Sequence, residues 1–167
     1  MKEIFIIRHS KASETSPDNT DFGRCLAPYG VEKATRIADV LSKNVKQVDL
    51  ILSSPACRAL ETAQIFARTL SYPETKIMAR DKLYHFGGVE HAMDIISGVD
   101  DSVDTLMLFG HNPTFNALAW QLCADFRDAM PTSAVVGLEL NINKWRKINK
   151  AKGRLIAYLT KKQIKSN

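Results

Sequence analysis

The sequence predicts an α/β fold: a single-domain three-layer sandwich around a mostly parallel, doubly wound sheet with an antiparallel edge strand. Three observations predict it. Ile4-Phe5-Ile6-Ile7, Leu50-Ile51-Leu52 and Leu106-Met107-Leu108-Phe109 are unbroken apolar runs of strand length, the pattern of strands buried on both faces. Between them lie segments whose apolar residues recur at helical spacing, and strands alternating with helices build parallel sheets. The final third of the chain is strand-rich instead, which supplies the antiparallel edge.

In chain order, the first strand covers about residues 3 to 8. A polar loop follows, with Glu14, Ser16, Pro17, Asp18, Asn19, Asp21 and Gly23, mostly turn-forming types. Pro28-Tyr29-Gly30 opens a helix to about residue 44, since Val31, Ala34, Ile37, Ala38 and Leu41 share one face. The second strand spans about 49 to 53, and Pro55 suits the first turn of the next helix. Leu60, Ala63, Ile65, Phe66 and Leu70 carry that helix to Ser71. A short strand near Lys76 to Met78 precedes Gly87-Gly88 and a helix from about Val89 to Ser97. Asp100-Asp101 begins a turn into a strand at about 104 to 109. Pro113 opens a helix through Leu118, Trp120 and Leu122, and two late strands fall at about 134 to 142 and 153 to 160.

The 167 residues are one domain's worth, 1–167, with a basic C-terminal end from about 161. No stretch approaches the roughly 18 apolar residues of a membrane span, and the N-terminus does not read as a secretory signal. A cytoplasmic protein without membrane contact is expected. Cys25, Cys57 and Cys123 include no Cys-x-x-Cys pair, so reduced thiols are the expectation. The formal net charge is +5. Much of the excess gathers at Lys144, Arg146, Lys147, Lys150, Lys152, Arg154, Lys161, Lys162 and Lys165. Without an aromatic ladder this reads as a solvated face, excluding nucleic acid as the expected partner. It still favours acidic partner proteins.

The functional signal lies at the strand ends. Arg8-His9-Ser10 follows the first run, Ser53-Ser54-Pro55 the second with Arg58 a turn later, and Gly110-His111 the fourth strand. Ligands of open parallel sheets bind beyond the carboxyl ends of the strands, so two histidines and two arginines converge on one anion-binding edge. With Ala59-Leu60-Glu61-Thr62-Ala63 after Arg58, these motifs resemble the histidine phosphatase superfamily, which also contains the phosphoglycerate mutases. Within it the chain is similar to the SixA-like phosphohistidine phosphatases. Ser10, where many members have Gly, fits that branch, as do Arg24-Cys25-Leu26 with Gly30 and Pro131-Thr132-Ser133-Ala134. The resemblance runs from about Met1 to Leu140.

The resemblance implies a nucleophilic His9 that becomes a phosphohistidine and is then hydrolysed. A neutral imidazole suits the task, its unperturbed pKa being about 6.5. One ring nitrogen must be bare, so the other should donate to a carbonyl or similar acceptor. Arg8 and Arg58 are planar forks for phosphate oxygens. His111, protonated once the oxyanion is bound, adds a third donor, and Ser10 is a further substrate-binding candidate. No carboxylate cluster near either histidine asks for a metal, so neither metal nor cofactor is expected. The mutase-like relatives carry a glutamate in the region of residues 80 to 90. The candidates for general acid here are Asp81 and Glu90, neither in a mutase-like motif, and Glu90 also fits an early helical turn. Asp21 and Arg24 fit a loop ion pair, His85 a rim position and His91 the surface.

The leading expectation is a monomeric, metal-independent phosphatase for phosphohistidine in proteins. Two alternatives stay open: a phosphatase or mutase for small phosphate esters, and a non-catalytic phosphoprotein-binding module. The intact His9 argues against the module. Only 53 positions separate Arg58 from His111, too few for the helical cap that encloses small substrates in mutase-like relatives.

Overall fold

Each apolar run becomes a strand of one six-stranded sheet in the computed structural model, which describes residues 1–84 and 87–164. β1 (Lys2–Arg8), β2 (Leu50–Ser53), β3 (Met78–Ala79) and β4 (Thr105–Gly110) are parallel, in the order β3-β2-β4-β1. β5 (Val135–Leu140) pairs antiparallel with β1, and β6 (Gly153–Leu159) pairs antiparallel with β5. The antiparallel edge is thus two strands deep. Two reversals leave β6 pointing the same way as β1, so both end at one edge of the sheet.

Successive strand residues point to opposite faces, which explains why the runs are apolar throughout. Ile4 and Ile6 share a core with α3 (Gly88–Ser97) and α4 (Thr114–Leu122). Phe5 and Ile7 share the other with α1 (Pro28–Ser42) and α2 (Cys57–Thr69). None of the four is more than 1% exposed. The short α5 (Lys161–Ile164) adds Ile164 to the α1–α2 side.

The differences from the sequence reading have local causes. α2 begins at Cys57 rather than Pro55 because Ser54 Oγ accepts from the Ala56 N–H at 3.2 Å, holding a turn before the helix. The short third strand is Met78–Ala79, preceded by a 3-10 turn at Glu74–Lys76. Trp145–Lys150, which has no strand or helical periodicity, forms a 3-10 helix. Its anchor is Trp145, fully buried, with the indole N–H donating to the Val103 carbonyl at 2.7 Å. Arg146, Lys147 and Lys150 face solvent around it, as a solvated basic face requires.

The cysteine expectation is overturned. Cys25 and Cys57 form a disulfide, their Cα atoms 4.8 Å apart, while Cys123 is free and buried. The polar loop folds back onto the start of α2, where Cys57 N–H donates to Phe22 O and Arg58 N–H to Arg24 O. Nothing local signals a pairing across 32 residues.

Candidate active site

Backbone hydrogen bonds fix His9 just past β1. Its N–H donates to Gly110 O at 3.0 Å, and its carbonyl accepts from Ser133 N–H at 3.1 Å. At Gly110 a Cβ would fall 2.5 Å from the Phe115 ring, so only glycine lets β4 end this close to α4. His9 is 9% exposed, and its Nδ1 lies 2.7 Å from the Ser10 carbonyl oxygen. A carbonyl only accepts, so Nδ1 carries the proton and Nε2 keeps its lone pair. This is the acceptor a nucleophilic His9 requires.

Ser10 itself is fully buried. Its N–H donates to Thr62 Oγ1 at 3.0 Å and its hydroxyl to Gly30 O at 2.7 Å, with the Ser133 hydroxyl also on Ser10 Oγ. Its hydroxyl is fully engaged inside the protein, which corrects its expected role as a substrate contact. At Gly30 a Cβ would sit 2.0 Å from Lys11 O, so glycine is what allows this post to close.

Four of the expected residues do come together. The His9 and His111 rings are 5.0 Å apart, and His111 Nε2 lies 2.8 Å from Ser54 Oγ. Burial lowers the His9 pKa to about 4, against the opposing Ser10 hydrogen bond and with help from Arg58, Arg8 and Arg24. Burial also lowers His111, to about 3, reinforced by His9, Arg58 and Arg8. Both rings are therefore neutral at pH 7. Arg8 donates through Nη1 to Met130 O at 3.0 Å, and its buried Nε has no hydrogen-bond partner. Arg58, only 7% exposed, donates to Asp21 O at 2.8 Å and Asp21 Oδ2 at 3.0 Å.

Asp21 was legible only as part of a loop pair with Arg24. That pair exists, at 3.0 Å, but the same carboxylate also orients Arg58 and accepts from the Tyr84 hydroxyl at 3.0 Å. Burial raises its pKa, and hydrogen bonds from Arg58, Tyr84 and Arg24 outweigh that, leaving it at about 2. Tyr84 also meets the His111 ring edge-on, centroids 5.6 Å apart. The signal for Asp21 lay in its spacing from Arg24; nothing in the sequence points to Tyr84.

Asp81 and Glu90 are both exposed, and neither side chain bonds to His9, Arg58 or His111 among the described residues. His85 lies outside the described residues. His91, expected at the surface, is half-buried with Nδ1 enclosed. One group has metal-ligand proximity among the described residues: Cys25, Cys57 and Glu61. The two sulfurs are bonded to each other, and Glu61 accepts from Leu26 N–H at 2.9 Å, so as it stands this trio is no thiolate site.

The family model for the histidine phosphatase superfamily (branch 1) matches residues 4–124. A relative in Mycobacterium leprae, the uncharacterized protein ML1117, is 28% identical over 164 residues, covering 91% of this chain and 98% of that one. A protein of Agrobacterium tumefaciens assigned as the phosphohistidine phosphatase SixA is 30% identical, with a TM-score of 0.78 over 95% of this chain and 97% of that one. The protein histidine phosphatase SixA solved with tungstate shares the fold at 21% identity, TM-score 0.81, over 97% and 99% of the two chains. A mycobacterial glucosyl-3-phosphoglycerate phosphatase shares it at 16% identity, TM-score 0.67, over 94% and 98%.

Proposed function

Because the chain belongs to the histidine phosphatase superfamily, we propose that it hydrolyses phosphohistidine in proteins, with His9 as the nucleophile. His9 Nε2 attacks phosphorus as the bond from phosphorus to the substrate's ring nitrogen breaks; that ring, protonated on its other nitrogen, takes the electron pair and leaves as neutral imidazole. Water then attacks the phosphorylated His9, returning the pair to Nε2 and releasing phosphate, while the proton lost by the water passes to solvent. Arg8 and Arg58 hold the equatorial oxygens. His111, neutral on its own, takes up a proton when a phosphoryl dianion arrives beside it and becomes the third donor. The reaction needs no metal or cofactor and proceeds on a monomer. No described helix is long and apolar enough to cross a membrane.

The observation that carries the substrate class is Asp21. Among the described residues it is the carboxylate bonded to the Arg58 clamp, and at a pKa of about 2 it stays ionised at neutral pH. It has no proton to hand to a leaving group. A departing alkoxide needs such a proton from the protein, whereas a phosphohistidine ring takes its proton from water on the remote nitrogen, at a pKa near the imidazole value of about 6.5, and leaves as neutral imidazole. The Asp81 and Glu90 side chains, exposed and apart from the clamp, do not change this.

The test combines trapping and comparison. Quenching with labelled substrate should trap label that is stable in base and labile in acid, and absent in His9→Ala. kcat/KM for phosphohistidine should far exceed that for sugar phosphates or phosphoglycerate, with or without EDTA. Efficient phosphoglycerate turnover that collapses in Asp81→Asn or Glu90→Gln would show that an acid is present and the substrate class is wrong.

A further inference from the structure

Because β6 ends at the same sheet edge as β1, the chain after it reaches the rim of the cleft. There Lys161 and Lys162 help wall a cavity of about 530 Å3. Arg8 forms part of this wall, and Asn112, next to His111 in the chain, forms another. Asn112 Nδ2 and Arg8 Nη1 both donate to the Met130 carbonyl. Arg8 therefore links the phosphoryl site to a second space that His9, Arg58 and His111 do not line.

That space is cationic. Arg8, Lys161 and Lys162 are its cations; Lys33, outside the wall and 6% exposed, donates to the Thr132 hydroxyl at 2.8 Å and packs over the Tyr29 ring. Burial lowers its pKa, and the charges of Lys161, Arg8 and Lys11 lower it further, which marks like charges crowded together. None of Arg8, Lys33, Lys161 or Lys162 is in an ion pair among the described residues. Asp128 is the acidic residue in the cavity wall; it is exposed and makes no ion pair with them. A cluster of cations held together without counter-charge attracts an anion.

We propose that this cavity is a specificity subsite for an acidic side chain of the protein substrate. An Asp or Glu beside the phosphohistidine would meet Lys161 and Lys162 while Arg8 holds the phosphoryl group. This rests on the phosphohistidine reading above. Such a contact is made equally in ground and transition states, so it acts on KM rather than kcat.

Two peptides with the same phosphohistidine, flanked by glutamates in one and glutamines in the other, test it. The protein should favour the acidic peptide by about three- to tenfold in kcat/KM, through KM, the scale of one or two exposed ion pairs. Lys161→Glu with Lys162→Glu should bring that ratio to one or below. In the unaltered protein, raising salt should shrink it. A ratio near one at low salt, or one indifferent to salt and to both substitutions, overturns the subsite. The glutamine peptide tests the substrate class separately: no cleavage of it alongside turnover of p-nitrophenyl phosphate would sink the phosphohistidine reading. Monoesters with and without a second carboxylate then probe the cavity alone. A preference lost in the double variant would reassign the anion to a small substrate and overturn the protein one. No preference would overturn the subsite altogether.

Discussion

Thr62→Val tests whether the buried post behind His9 positions the nucleophile. Thr62 is fully buried, and its hydroxyl is the acceptor for the Ser10 N–H, 3.0 Å away, while donating to Arg58 O at 2.7 Å. Valine has the same shape and nearly the same helix propensity, so only the acceptor is lost. The Ser10 N–H, enclosed with the rest of Ser10, is then left unsatisfied, which costs about 1–3 kcal/mol. The added methyl offsets part of that, leaving a loss of about 1–2 kcal/mol. For a domain of this size the Tm should drop by about 2–8 °C. Because the Ser10 carbonyl is what holds His9 Nδ1, kcat should fall by about tenfold, the consequence of a slightly misplaced nucleophile. Denaturant unfolding without reductant and steady-state kinetics measure the two effects, and Thr62→Ser should preserve both. Wild-type stability and kcat in Thr62→Val would refute the positioning argument.

Arg58→Ala and His111→Ala should each lower kcat/KM by about 100-fold or more, the scale of losing one preorganised donor; a loss under threefold in phosphate-release kinetics would remove that residue from the clamp. Asp21→Asn, which frees Arg58 and Arg24 without deleting either, should slow phosphohistidine and ester substrates by a similar factor. A loss confined to esters would make Asp21 the acid after all. His9 and His111 titrate at about 4 and about 3 in the folded protein, against about 6.5 when unfolded. Below 6.5 the unfolded chain therefore binds more protons, so stability falls as pH drops from about 6.5 toward 3, and these groups leave it unchanged at higher pH. Ring C–H resonances flat down to about pH 5 would agree; a ring titrating near 6.5 would not.

Much of this was legible from the chain. Ile4-Phe5-Ile6-Ile7 and Leu106-Met107-Leu108-Phe109 had to be strands covered on both faces, and strands so placed carry His9 and His111 to one edge. What stayed hidden depends on segments meeting far from their sequence neighbours. Asp21 reaches Arg58 only because a loop of turn-forming residues folds over the start of α2. The Ser10 post needs Gly30, Thr62 and Ser133, from three separate segments, so a lone serine beside the nucleophile reads as a ligand contact. Lys161 and Lys162 look like a solvated tail until the direction of β6 is known, and that direction follows from two antiparallel reversals that composition cannot specify.

The Cys25–Cys57 bond has a consequence in polymer terms. It closes a ring of about 32 residues that contains all of α1 and β2. A cross-link of that span removes about 3–4 kcal/mol worth of conformational freedom from the unfolded chain, so much of its effect acts on a state in which the cleft does not exist. It also tethers Arg24 to Arg58, the residues next to each sulfur. When the loop opens locally, its carboxylate and the guanidinium it orients stay at high effective concentration and rejoin quickly.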